Sequence, residues 1–220
     1  MDKSSSPVLD PAAAGAGLLP TFAACLIALA LGLGLVYRAT DGGRAFTTES
    51  LRRSEVARRP VPIPDLQVLD AVGRTQSLRE LLARENRAWI VDFVYTRCQS
   101  ICTSLGTVYQ QLQGEIIARG LAGRVGLLTI SFDPVNDGPS ALQEYALRMR
   151  MQPAAWQIVS LARVQDRSLL LDSFGIMVIA APLGEFEHNA ALHIVDRRSR
   201  LVGIVDISEP RAALELALAK

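Results

Sequence analysis

Two cysteines, Cys98 and Cys102, stand four positions apart in the stretch VDFVYTRCQSICTSLGTVYQQL, which runs from Val91 to Leu112. In a helix, residues at i and i+4 share a face, so two sulfurs at this spacing can close a disulfide or grip one soft ion. Thiolates select Cu(I), zinc or iron–sulfur chemistry. As a redox pair, Cys98 would attack a client disulfide and Cys102 would resolve the mixed disulfide. The plainer reading is two small buried hydrophobes on a helix face. Cys98 falls where an apolar strand gives way to a helix. Helix N-termini carry partial positive charge and open amides, so a thiolate is favoured there, and Arg97 adds a cation.

Two thiolates need one or two further ligands. The chain has two histidines, His188 and His193, both in EFEHNAALHIVD. His188 lies in a polar loop just before a strand, from which it can swing over the cysteine pair. His193 lies inside the strand pattern and reads as a packed core residue. Asp133, followed by Pro134, reads as a turn former that caps or fixes a loop near the site.

The elements that must position these residues follow from periodicity. AWIVDFVY (88–95) and VGLLTISF (125–132) are apolar nearly throughout, as buried central strands are. The helix after the cysteines runs to about Arg119 and stops at Gly120. Further helices are expected from Pro139 to Met151, from Val164 to Phe174 with Gly175 as its stop, and from about Glu209. Ser77 and Glu80 form a capping box that starts a short helix. AWQIVS and IMVIAA (176–181) read as strands, and so does a short stretch near Leu66 to Asp70. ALHIVD and RLVGIVD read as a hairpin. Strands alternating with helices give a parallel sheet covered on both faces, and the closing hairpin makes it mixed.

The chain has 220 residues, with 23 Lys plus Arg against 22 Asp plus Glu, a formal net charge of +1. That balance gives no sign of a nucleic-acid partner. Three cysteines are too few for a disulfide scaffold. Residues 18–37 carry no charge, and twenty helical residues span roughly 30 Å, the thickness of a bilayer core. An uncleaved anchor and a cleaved signal peptide are both compatible with this run. Its length and the lack of a small-x-small site after it favour the anchor. Cys25, inside the run, reads as an apolar membrane-helix residue. The expected organisation is a cytoplasmic tail (1–17), a transmembrane anchor (18–37), a tether (38–61) and one folded domain (62–220). Arg38, Arg44, Arg52 and Arg53 follow the run and would keep the domain cytoplasmic under the positive-inside rule.

Taken together, these residues resemble the SCO/SenC family, membrane-anchored thioredoxin-like copper proteins that serve cytochrome oxidase assembly. The resemblance rests on Phe93-Val-Tyr95-Thr96-Arg97-Cys98 with Cys102, on Ser131-Phe132-Asp133-Pro134, and on His188 eight positions before Asp196. It covers about residues 62–207 and the anchor. It implies a thioredoxin-like mixed sheet with helices on both faces, and copper bound by Cys98, Cys102 and His188. The implied partners are the copper-accepting subunit of cytochrome oxidase and a copper donor protein. The implied location is the inner membrane, single-pass, with the domain on the periplasmic side, against the arginine bias. Gln99 and Thr103 replace the family's usual prolines, and Glu187 replaces its usual Asp. The resemblance implies a copper chaperone more than a conventional enzyme. The alternatives are a thiol–disulfide oxidoreductase acting on a client's cysteines, and a redox or copper sensor.

Overall fold

The computed structural model describes residues 17–40, 42–43, 47–98, 101–181 and 186–220, with only the backbone described at 101–104 and 180. The chain divides into two compact units, Met1–Ser54 and Glu55–Lys220. The first contains helix α1 (Leu18–Ala39), whose side chains are all exposed. By length and composition it is apolar enough to cross a membrane.

Helix α2 (Thr48–Arg58) interrupts the stretch expected to be a plain polar tether. Glu49 bonds Arg52 and Arg53, three and four residues on, the spacing at which side chains meet on a helix surface. Near its end, Val56 is buried in the domain core.

The domain is built on an eight-stranded sheet in the order β1-β10-β9-β4-β5-β6-β2-β3. Its strands are β1 (Val61–Pro62), β2 (Gln67–Asp70), β3 (Thr75–Ser77), β4 (Ala88–Val94), β5 (Val125–Ser131), β6 (Trp156–Leu161), β9 (Leu192–Val195) and β10 (Arg200–Val205). Strands β4, β5 and β6 are parallel, and β9 lies antiparallel to β4 on the other side. Every residue of β4 and β5 is buried, because helices cover both faces. A separate two-stranded ribbon pairs β7 (Val178–Ala180) with β8 (Phe186–His188).

Side chains alternate between the two sheet faces. On one face, Trp89 donates to the Leu82 carbonyl of α3 (Leu78–Arg84), and Phe93 meets Phe174 of α6 (Arg167–Phe174) edge to face. The other face, which carries Ile90, Asp92 and Thr129, is covered by α4 (Ile101–Ala118), α5 (Pro139–Arg148) and α7 (Pro210–Leu218). Tyr109 of α4 packs its ring on Trp156, and the Trp156 indole donates to Thr129. Leu216 of α7 lies where a Cβ on Gly203 would fall.

Local signals operate as expected. Ser77 accepts a hydrogen bond from the Glu80 amide and so caps α3. The Ser77 hydroxyl donates to Asp65. Gly120 and Gly175 take left-handed φ values of 64° and 63° just past α4 and α6, a conformation that glycine adopts without Cβ strain.

Candidate functional site

β4 delivers the chain to the carboxyl edge of the sheet, where ligands bind in open α/β folds. Tyr95, Thr96 and Arg97 follow the strand, and a turn closes with the Cys98 amide on the Tyr95 carbonyl at 3.1 Å. Cys98 is buried in this turn. It lies before α4, which begins at Ile101. The expectation that Cys98 and Cys102 share one helix face is therefore corrected. Only Cys102 is helical, because the turn at Tyr95–Cys98 uses the backbone that a longer helix would need. Cys102 stands in the first turn of α4 with its side chain outside the described set. Gln99, the Thr103 side chain and residues 182–185 lie outside it too.

Three buried carboxylates shape this edge. Asp137 accepts from the Thr96 amide (2.8 Å), the Thr96 hydroxyl (2.6 Å) and the Ser131 hydroxyl (2.5 Å). It ties the cysteine loop to the end of β5. Asp133 accepts from Asn136 (2.8 Å) and Arg97 (3.2 Å), with Arg167 3.5 Å away. The turn-forming residue is thus also an ionic hub beside Cys98. The third, Asp92, is fully buried two residues before the end of β4. Burial pushes its carboxyl up to about 7, moderated by Thr129, its neighbour in register on β5. Neither Asp92 oxygen has a hydrogen-bond partner of good geometry among the described residues.

His188 sits on β8, paired with Val178, rather than in a loop. The ribbon is fastened to the cysteine strand. The Tyr95 hydroxyl accepts from the Phe186 amide at 3.2 Å and lies 3.3 Å from the Phe186 carbonyl. Phe132 packs against the rings of Tyr95, Phe186 and His188 at 5.8, 5.7 and 5.4 Å. The His188 Nδ1 lies 3.1 Å from the Asn189 carbonyl. As a donor there, Nδ1 would leave Nε2 as the ring's metal-binding atom. His193 is fully buried on the far face between Phe93 and Phe174, with Nδ1 3.3 Å from the Val91 carbonyl. That is the packed position its strand pattern predicts. Among the described residues, no three His, Cys, Asp or Glu side chains gather closely enough to hold a metal.

An open cleft of about 510 Å³ runs beside Cys98, walled by Arg97, Asn136, Glu144 and Arg148. A groove of about 320 Å³, between the β2–β3 hairpin and β6, contains no cysteine or histidine.

Known proteins share this fold. The SCO1/SenC family model matches residues 67–220. The chain belongs to the SCO1/SenC family. A curated SCO1 protein homolog of Bacillus subtilis is 25% identical to this SCO1/SenC chain over 126 residues, which cover 56% of the chain and 62% of that relative. Bradyrhizobium japonicum ScoI, solved with copper bound, superposes with a TM-score of 0.55 at 20% identity, over 71% of this chain and 99% of that one. BsSco is described as a Sco-family cytochrome c oxidase assembly protein with a disulfide switch. It superposes with a TM-score of 0.58 at 21% identity, over 72% and 96%. These two likenesses show the shared thioredoxin-like fold.

Sequence reading had Tyr95 in a motif without a role for it, and passed over Asp137 and Asp92. For Asp92 a signal was present: one carboxylate inside the apolar run AWIVDFVY.

Proposed function

We propose that this SCO1/SenC protein is a membrane-tethered copper chaperone for cytochrome oxidase, with copper as its cargo. Cys98, Cys102 and His188 hold the ion. The soft sulfurs suit Cu(I), and the imidazole also admits Cu(II). Oxidation of the two thiols to a disulfide withdraws both sulfur ligands and releases the cargo. The reading is carried by one observation: Tyr95, three residues before Cys98, is latched to Phe186, two residues before His188. The copper-bound ScoI structure and the oxidase-assembly role of BsSco support it. Helix α1 serves as the anchor, the polar stretch after it as the tether and the unit Glu55–Lys220 as the working domain, on the periplasmic side. The acceptor is the copper-accepting subunit of cytochrome oxidase, and a separate donor protein supplies the ion.

The test is copper titration of the reduced full chain. One ion is expected to bind per chain. Cys98→Ala should abolish binding and His188→Ala should weaken it at least about tenfold, as loss of a metal-site residue does. Unchanged binding in both variants would end the reading.

A second activity is favoured by Asp92. Thiol–disulfide exchange is helped by a group that takes up and returns a proton, and the buried Asp92 carboxyl on the strand that leads to Cys98 can do so. On this reading the protein also reduces a disulfide in its client, which would ready the client's cysteines for copper.

A further inference from the structure

We infer that the domain docks on the anionic headgroups of the bilayer that holds α1, through a basic edge at the opposite end of the sheet from Cys98. The inference rests on the reading of α1 as a membrane anchor and on no part of the copper chemistry. The parallel strands β4, β5 and β6 begin at Ala88, Val125 and Trp156, side by side at one edge of the sheet. At this amino edge stand Arg124, just before β5, and Arg197 and Arg198, in the turn between β9 and β10; all three are exposed. Among the described residues none of the three is paired with a carboxylate, whereas the acids beside them are: Glu85 with Arg87 and Asp196 with Arg200. The end of α7 joins the cations into one surface. Arg124 donates to the Leu218 carbonyl, and Lys220 walls an open cleft of about 480 Å³ together with Arg197 and Arg198. The cysteine edge is different, for there Arg97 and Arg167 share Asp133, and Arg163 bonds Asp166.

Three features make the partner a bilayer. Pro60, another wall of the cleft, directly precedes β1, where the chain arriving from α1 enters the sheet. The basic edge therefore stands at the domain's point of attachment. Tethering by α1 also keeps the headgroups at high effective concentration, so contacts that are weak one by one suffice. Each Lys or Arg at an anionic lipid surface shifts the docked-to-free ratio about fivefold, and three shift it by about 100-fold. Finally, the net charge of the whole chain is only +1. The cations of this edge thus reflect uneven placement, not a general basicity that would draw a polyanion to any face. A soluble acidic protein would gain nothing from the tether.

Docking by this edge turns the cysteine edge outward. β4 has seven residues and rises about 3.3 Å per residue, so Cys98, beyond its end, is held about 20 Å or more from the headgroups. The domain stops turning freely on its tether, and Cys98 faces partners that stand clear of the bilayer.

The chain supplies its own reporters. Its two tryptophans, Trp89 and Trp156, both lie at the amino edge, near the starts of β4 and β6. The test reconstitutes the full chain in phosphatidylcholine vesicles with or without phosphatidylglycerol, and reads energy transfer from tryptophan to a trace of dansyl-labelled headgroups. Transfer is expected to rise in the anionic vesicles and to fall back in about 1 M salt, where the screening length is about 3 Å. Arg197→Ala combined with Arg198→Ala should lower the docked-to-free ratio about 30-fold, and the same pair changed to Lys should keep it. Equal transfer in the two lipids would overturn the proposal, as would an alanine pair that docks like the unsubstituted chain or a lysine pair that does not dock. Phenylglyoxal modification, read by mass spectrometry, should slow at Arg198 in anionic vesicles and keep its rate at Arg97. The reverse would lay the cysteine edge on the bilayer and refute the assignment. Slowing at Arg198 by soluble polyglutamate but not by anionic vesicles would give the edge to an acidic protein instead, and refute it too. Flotation separates this inference from the anchor reading. A chain that floats with neutral vesicles in high salt has its anchor, and a lack of lipid dependence then removes the docking alone. A chain that does not float loses the anchor, and the docking with it.

Discussion

The Tyr95 hydroxyl engages Phe186 twice, accepting from its amide at 3.2 Å and lying 3.3 Å from its carbonyl. This contact joins the strand that delivers Cys98 to the ribbon that delivers His188, 91 residues later. Tyr95→Phe keeps the ring packing on Phe132 and Phe186 but removes the bonds. The expected loss is about 1 kcal/mol of ribbon docking, read as copper affinity lowered about fivefold in competition with a Cu(I) chelator. Unchanged affinity would show that the ribbon is held by its rings alone.

Asp137 accepts three hydrogen bonds with no exposure to solvent. Asp137→Ala leaves the Thr96 amide and two hydroxyls without their acceptor. Each stranded buried donor costs about 1–3 kcal/mol, so a loss of roughly 3–5 kcal/mol is expected in urea unfolding. Alkylation of Cys98 should quicken as the loop loosens.

Asp92 links stability to pH. Its carboxyl is held near 7 by burial, against 3.8 as the ordinary value. The folded chain therefore binds one more proton than the unfolded chain between about pH 4 and 7. Stability contributed by the neutral acid is present at low pH and is lost as pH rises through that window, by up to about 4 kcal/mol. Asp92→Asn abolishes this dependence. Denaturation curves at pH 4.5 and pH 8 are expected to show the variant gaining on the unsubstituted chain only at pH 8. An equal difference at both pH values would mean that Asp92 does not titrate in the window.

His193 is packed between Phe93 and Phe174 on the face away from Asp92. His193→Phe should leave copper stoichiometry and affinity unchanged while shifting stability by about 1–3 kcal/mol through overpacking. Loss of bound copper in a folded His193→Phe protein would contradict its assignment to the core.

Much of the frame was legible in the sequence because its causes are local. The apolar runs of β4 and β5, the Ser77 cap and the glycines at 120 and 175 each act on their own few residues. Helix α2 escaped notice although its Glu49–Arg52–Arg53 spacing was in view, because it is polar on nearly every side and lacks the apolar stripe by which helices are recognised. Strand β8 was read as loop because three residues pair only through a partner six to ten positions earlier.

The sequence by itself determined that two thiols stand at the junction of a buried strand and a helix, with two histidines downstream, since residue type and spacing are properties of the linear chain. Only the tertiary structure decided which histidine shares an edge with Cys98, that Cys98 precedes the helix, and that Asp92 sits where water cannot reach its charge. Those outcomes depend on burial and on contacts between distant segments, whose energies sum over the whole sheet and are written in no short stretch of it.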